Sequence, residues 1–323
     1  MKLQITLFLL FLSSWIGHSQ IGPNDDAVYL DSLNNLGNEK NYKFIRVVKE
    51  YAEDKDLYDV YFYSRSGKLV QRATTSNKFF MAFEGPYIYY YENGNKQKME
   101  TYSDKRVNGR QFEWYENGNL KLETDVQYDK KTKNSSTKII NYWSANKEQK
   151  VINGEGEYEE IETIPNSNSA KFSVKSSGKI KNYVKDGLWK GKSEKPSYTF
   201  YEQFETGKLV SGKRIDSLGV EILYNEVLQK PKPKNGIADF YRFVGENYNT
   251  PAVQGLKGVI YATFVVDKEG KVADVKIIRD LGYGTGAEAI RVIQKYDQWV
   301  PGSFKGEPVR VQYSLPITIK SIY

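Results

Sequence analysis

Four carboxylates crowd one short stretch, Glu155, Glu157, Glu159 and Glu160. Two carboxyl groups held about 5 to 10 Å apart can hydrolyse a glycosidic bond. A lone acidic run in a turn-rich segment is far more commonly a solvated face, so catalysis is not the expectation. The rest of the composition points the same way. The 323 residues include no cysteine and a single histidine, His18, which falls in an N-terminal segment with the layout of an export signal. A mature chain without imidazole or thiolate has no zinc site of the usual ligand sets, no Ser-His-Asp or Cys-His nucleophile and no thiol redox couple. We expect no enzyme, no cofactor, no metal and no small-molecule substrate. A different chemistry, that of the backbone, is offered near the C-terminus. From Pro308 to Ile319, Val309, Val311, Tyr313, Leu315, Ile317 and Ile319 alternate with Arg310, Gln312, Ser314, Pro316 and Thr318. That is a strand with one buried face. Pro316 has no amide hydrogen to give a ladder, which puts the strand at a sheet edge.

The signal layout consists of Lys2, an apolar stretch from Leu3 to Ile16, and the small residues Gly17 and Ser19 around His18. Cleavage near Ser19 delivers the chain to the periplasm or cell surface. The alternative is an inner-membrane anchor, for which the stretch is shorter than the roughly 20 apolar residues of a spanning helix. Beyond it no apolar run is long enough to span. The excess of Lys and Arg (47) over Asp and Glu (40) is spread along the chain, and its densest run, Lys130-Lys131-Thr132-Lys133, lies among Asn and Ser without aromatics. Nucleic acid is therefore not expected as a partner.

Between these ends lies a tyrosine-rich repeat. Tyr91-Glu92-Asn93-Gly94-Asn95 recurs as Tyr115-Glu116-Asn117-Gly118-Asn119, each copy following a Gly and an aromatic-alternating run, Gly85 to Tyr90 and Gly109 to Trp114. Weaker copies run from Tyr61 to Val70 and from Phe200 to Val210, and Lys185 to Gly191 repeats the strand opening. Alternating aromatics make a strand with one buried face, and Asn-Gly allows the positive φ of a tight hairpin. One hairpin cannot bury its face alone, so the copies must join into a meandering antiparallel sheet. Tyr42 to Tyr51 reads as an opening strand or a short helix, and Lys130 to Lys138 reads as an insertion. Tyr87, Tyr89, Trp114 and Trp189 read as sheet core ahead of an exposed aromatic platform.

Gln229 to Asn235 alternates Lys and Pro, which favours an extended, solvated linker of about 20 Å at ~3.1 Å per residue. After it the pattern is mixed. Ala238 to Asn247 reads as an amphipathic helix with Phe240, Phe243 and Val244 on one side. Val259 to Asp267 and Lys271 to Arg279 form a hairpin so apolar that it must lie under cover. The cover is a helix from about Gly286 to Asp297, with Thr285 and Glu288 as a capping box and Ala289, Val292, Ile293 and Tyr296 as its apolar stripe.

The repeat region, about residues 56 to 212, resembles the MORN-like repeats of antitoxin-type proteins, a scaffold that implies no particular activity. The C-terminal part is similar to the C-terminal domain of TonB-type energy transducers. The resemblance rests on Thr250-Pro251-Ala252, Gly258-Val259, the hairpin Phe264 to Val272 with Gly270, Glu288-Ala289, Trp299-x-Pro301-Gly302, Gly306-x-Pro308-Val309 and Leu315-Pro316-Ile317. Thr250 stands where that family usually has Tyr, with Tyr248 close by, and Gly282 to Gly286 lacks the family's Cys-Asp. The resemblance implies that Pro251, Gly258, Gly270, Trp299, Pro301, Gly302, Pro308 and Pro316 are structural. It also implies strand addition, in which an outer-membrane TonB-dependent receptor or another envelope protein presents an extended segment to the last strand. Carried onto this chain, the acceptor edge is Val309, Arg310, Val311, Gln312, Tyr313 and Ser314. The competing expectation is an envelope scaffold whose repeats bind a partner and whose C-terminal domain only dimerises.

The expected fold is β-rich with two domains. An antiparallel hairpin-repeat sheet is followed by an α+β domain of three antiparallel strands and two helices. The expected divisions are a signal peptide at 1–19, a lead-in at 20–55, repeats at 56–228, a linker at 229–235 and the TonB-like domain at 236–323.

Overall fold

A computed structural model describes residues 21–32, 34–165 and 171–321. The expected export signal lies outside them. The chain divides into two compact units, residues 1–158 with 180–184, and residues 159–179 with 185–323.

In the first unit the alternating aromatic runs form successive antiparallel strands. Asp26–Leu30, Phe44–Val48, Tyr58–Ser64, Leu69–Thr75, Gly85–Tyr90 and Lys96–Ser103 pair in order, and Gly109–Trp114, Leu120–Asp129, Asn134–Trp143 and Gln149–Ile152 continue the meander. The segment after Tyr42 is thus a strand. Its inward residues, with Leu30, Val48, Tyr58, Val60, Phe62, Ala73 and Tyr87, make one buried cluster. The core reading holds for Tyr87 and, in the second unit, for Trp189, while Tyr89 and Trp114 are half-buried.

The hairpins share one loop. In Tyr91 to Asn95 the first N–H donates to the fifth carbonyl (2.9 Å) and the fourth N–H to the first carbonyl (3.0 Å), with Gly94 at φ +85°. The same pair of bonds closes Ser64 to Lys68, Tyr115 to Asn119 and Ser144 to Glu148. Only the fourth residue needs the left-handed conformation, where glycine is strain-free. Lys147 takes it in the last copy, at φ +66°. Adjacent copies are tied by their tyrosines. Tyr91 donates its hydroxyl to the Trp114 carbonyl (2.9 Å) and Tyr115 to that of Trp143 (2.8 Å). The stretch expected to be an insertion is instead a long hairpin, Leu120–Asp129 paired with Asn134–Trp143, with the Lys130 to Lys133 run at its tip.

In the second unit the strands Val184–Glu194, Ser197–Glu205, Lys208–Asp216 and Glu221–Tyr224 pair consecutively. One face buries Trp189, Tyr198, Phe200, Glu202, Phe204 and Arg214, and the other is exposed. The α+β part follows. Its sheet has Lys257–Val266 in the middle, Val272–Arg279 on one side and Val311–Lys320 on the other. The helices Ile237–Asn247 and Thr285–Lys295 cover one face, closing a core of Phe240, Val244, Ile260, Ala262, Phe264, Val292, Ile293, Tyr296, Trp299, Leu315, Ile317 and their neighbours. The opposite face is open, with Tyr261 45% exposed. The hairpin is therefore covered on one side only.

Two expectations need correction. Residues 229–235 do not form a solvated linker. Leu228–Gln229 pairs with Gly302–Phe304, Lys232–Pro233 pairs with Trp299–Val300, and Pro231 and Pro233 are buried. Proline enters such short ladders where its nitrogen faces away from the partner. The capping box does not form either. Gly284, in the left-handed conformation, is the N-cap residue. The Thr285 hydroxyl lies 2.6 Å from the Asp280 carboxylate, and that carboxylate also accepts the Gly282 N–H (3.2 Å). Glu288 is drawn away to Arg291 and the Asn249 N–H (2.8 Å).

Candidate functional site: the open edge of the terminal strand

Val311–Lys320 is held to its neighbour over its whole length, from Val311 opposite Val266 to Lys320 opposite Lys257. Sheet order places it at the edge, and among the described residues no backbone group bonds to its outer side. Pro316 stands opposite Tyr261. A missing N–H is tolerated in an antiparallel ladder at a position whose backbone points away from the neighbour. Residues two and four along share that direction, so Gln312, Ser314 and Thr318 present their N–H and C=O groups to the open edge. Exposed Pro316 and Lys320 blunt the distal half against indiscriminate pairing. The half from Val311 to Leu315 is bare.

The strand is rigidly backed. Tyr313 lies 5.5 Å from the Phe264 ring and 5.1 Å from Trp299, whose ring is in turn 5.4 Å from Phe240. Glycines bring the chain close here. A Cβ on Gly302 would come within 2.6 Å of the Val311 side chain, and one on Gly270, at φ +81°, within 2.3 Å of the Trp299 carbonyl oxygen. Gly258 abuts Leu281 at the start of the central strand, and Pro301 lies beside Gly270. The Pro251 carbonyl accepts the Val253 N–H at 2.8 Å. Tyr248 packs against the core and donates to the Thr285 carbonyl (2.8 Å), and burial pushes its hydroxyl up to about 12. Arg291, beside Glu288, holds that carboxyl down at about 2, despite an opposing contribution from burial.

The predicted acceptor residues do not all lie together. Val311, Gln312, Tyr313 and Ser314 form the first part of the open edge. Val309 belongs to a separate short ladder, Glu307–Val309 with Gly302–Phe304, in which it faces Gly302 and Pro308 faces Ser303. Arg310, at the break between the ladders, bonds Asp274 at 2.9 Å. The acidic run is not gathered into a site. Its strand alternates, leaving Glu157 and Glu159 exposed, while Glu160 pairs with Lys185 and Glu155 accepts the Asn182 N–H.

One feature escaped the sequence reading. Lys305, in the turn before Glu307, is buried and donates to buried Glu202. Tyr224 donates to the same carboxylate at 2.8 Å, and the Lys305 ammonium sits 3.8 Å from the centre of the Phe200 ring. Burial pushes the Lys305 ammonium down, against the opposing pull of Glu202. The readable signal was Glu202 itself, which shares the inward register of Phe200 and Phe204.

Compared with known families, residues 252–320 match the Gram-negative bacterial TonB protein C-terminal family, and residues 83–104 and 107–127 match the MORN repeat variant. No curated protein and no solved structure matches the chain. The fold and the matches define a repeat-sheet protein ending in an α+β module. That module is similar, over residues 252–320, to the TonB C-terminal family, which is associated with the Gram-negative envelope, and two repeat copies ahead of it are similar to the MORN variant. Among the described residues no helix is long and apolar enough to cross a membrane.

Proposed function

We propose that this protein is exported to the periplasm and binds an extended segment of an outer-membrane transporter by strand addition, in support of transport. Its role is binding rather than catalysis. The observation that carries this reading is the edge position of Val311–Lys320, with its outward backbone groups unpaired among the described residues. An incoming antiparallel segment would take main-chain bonds from Gln312 and Ser314, with side-chain register set by the alternation of the strand. The buttress of Tyr313, Trp299 and Phe240 keeps the edge preformed, which lowers the ordering cost of binding.

The test is recovery of outer-membrane transporters from solubilised envelopes by the full chain and by Ser314→Pro, which removes one outward donor. The variant should lose recovery while keeping its melting temperature. Equal recovery by both would refute strand addition at this edge. Export is checked separately by mass spectrometry of the mature N-terminus. A start at Gln20 agrees with cleavage, and Met1 in membrane fractions points to an anchored transducer instead.

A further inference from the structure

The outward face of the second unit's repeat strands is distinct from this edge and independent of it. Lys190 and Lys192 lie two residues apart on Val184–Glu194, about 7 Å along the strand. Register sets Lys190 beside Tyr201, Tyr201 beside Lys213, and Lys192 beside Thr199. Lys175, Ser177, Lys190, Lys192, Thr199 and Tyr201 line one shallow depression of about 490 Å³. Lys175, Lys190 and Lys192 are exposed and have no ion-pair partner among the described residues, whereas Lys213 is paired with Glu221. Glu159 and Glu160 also line it, and the Glu160 carboxylate is committed to Lys185 on the buried face. Lys190 and Lys192, about 7 Å apart on one face, repel each other, and an anionic ligand relieves that repulsion.

We propose that this face binds an anionic polysaccharide. The three unpaired ammonium groups take its acidic groups, Tyr201, 39% exposed, lies against a sugar ring, and Thr199 and Ser177 supply hydroxyl contacts. The chemistry favours a glycan over nucleic acid. Arg214 points to the buried face, so no guanidinium fork is available to read a base edge, and one exposed ring stacks a single unit rather than a run of bases. Lysines suit acidic groups spread along a flexible polymer because each acts as a point charge.

The probe is fluorescently labelled dextran sulfate, with unmodified dextran of equal length as the neutral control, titrated with the full chain. Substituting Lys175, Lys190 and Lys192 together by Gln should weaken binding about tenfold or more and flatten its salt dependence. The matched variant K130Q/K131Q/K133Q, at the hairpin tip, should change it less than about twofold, since those lysines do not line the depression. Tyr201→Ala should weaken binding about threefold at unchanged salt slope, as expected for loss of a ring contact rather than a charge. Unchanged melting temperatures show that the variants fold. Equal loss in both lysine triples, equal binding of neutral dextran, or tighter binding of a single-stranded oligonucleotide at the same face would each overturn the assignment.

Discussion

The repeat strands and the terminal strand share one sequence pattern, apolar or aromatic residues alternating with polar ones, yet they differ in what they leave available. An inner repeat strand such as Ser197–Glu205 is hydrogen-bonded along both edges, so its backbone is closed and only side chains face outward. Val311–Lys320 has one neighbour, so its backbone remains available along the other edge. Alternation specifies a buried face in both cases. The number of neighbours decides whether a strand can recognise a partner by side chains or by main-chain bonds.

That contrast can be probed by disturbing each region separately. The largest effect should come from Lys305→Met, which strands the buried Glu202 carboxylate and should cost about 3 to 5 kcal/mol in denaturant unfolding. Adding Glu202→Gln to it should recover much of the loss, whereas a surface pair would show little in either variant. Gly270→Ala comes next, because the new Cβ meets the Trp299 carbonyl at a left-handed φ. A loss of roughly 2 to 3 kcal/mol is expected from strain of this kind, accompanied by weaker strand addition as the buttress shifts. In the repeats, Tyr115→Phe removes one bond to the next copy and should cost about 1 kcal/mol without touching the terminal edge.

The smallest effect is acid-dependent. Glu288 has a folded-state value near 2 against an ordinary 4.5. A depressed carboxyl contributes stability that is present above its unfolded value and lost as pH falls through its folded one. The loss should fall between about pH 4.5 and 2 and amount to about 1 kcal/mol or less, given the solvent-screened Arg291 pair. Glu288→Gln should remove that component from the melting temperature's pH dependence.

Much of the candidate site was legible because it depends on local pattern. The terminal alternation, the edge position signalled by Pro316 and the helix stripe of Ala289, Val292, Ile293 and Tyr296 all needed only neighbouring residues. What escaped depends on distant partners. The break at Arg310 is invisible to alternation, because Val309 and Val311 keep the same spacing while joining different ladders. Lys and Pro at 229–235 signal an extended chain but not the segment it pairs with. Glu288 and Thr285 satisfy a capping motif, yet Arg291 and Asp280 compete for them. The repeat loop at Ser144 to Glu148 went unread because Lys147 stands where the other copies have glycine. Lys305 and Glu202 lie 103 residues apart, and no local signal joins them.

Hydrogen exchange on the full chain, with and without an extended peptide from the periplasm-facing segment of an outer-membrane transporter, tests strand addition most directly. Bound peptide should slow exchange at the Gln312 and Ser314 amides about tenfold or more, with no change at Lys190 or Tyr201, as expected when solvent-facing edge amides become ladder donors. Protection confined to the repeat strands, or unchanged exchange at Gln312 and Ser314 despite binding, would contradict it.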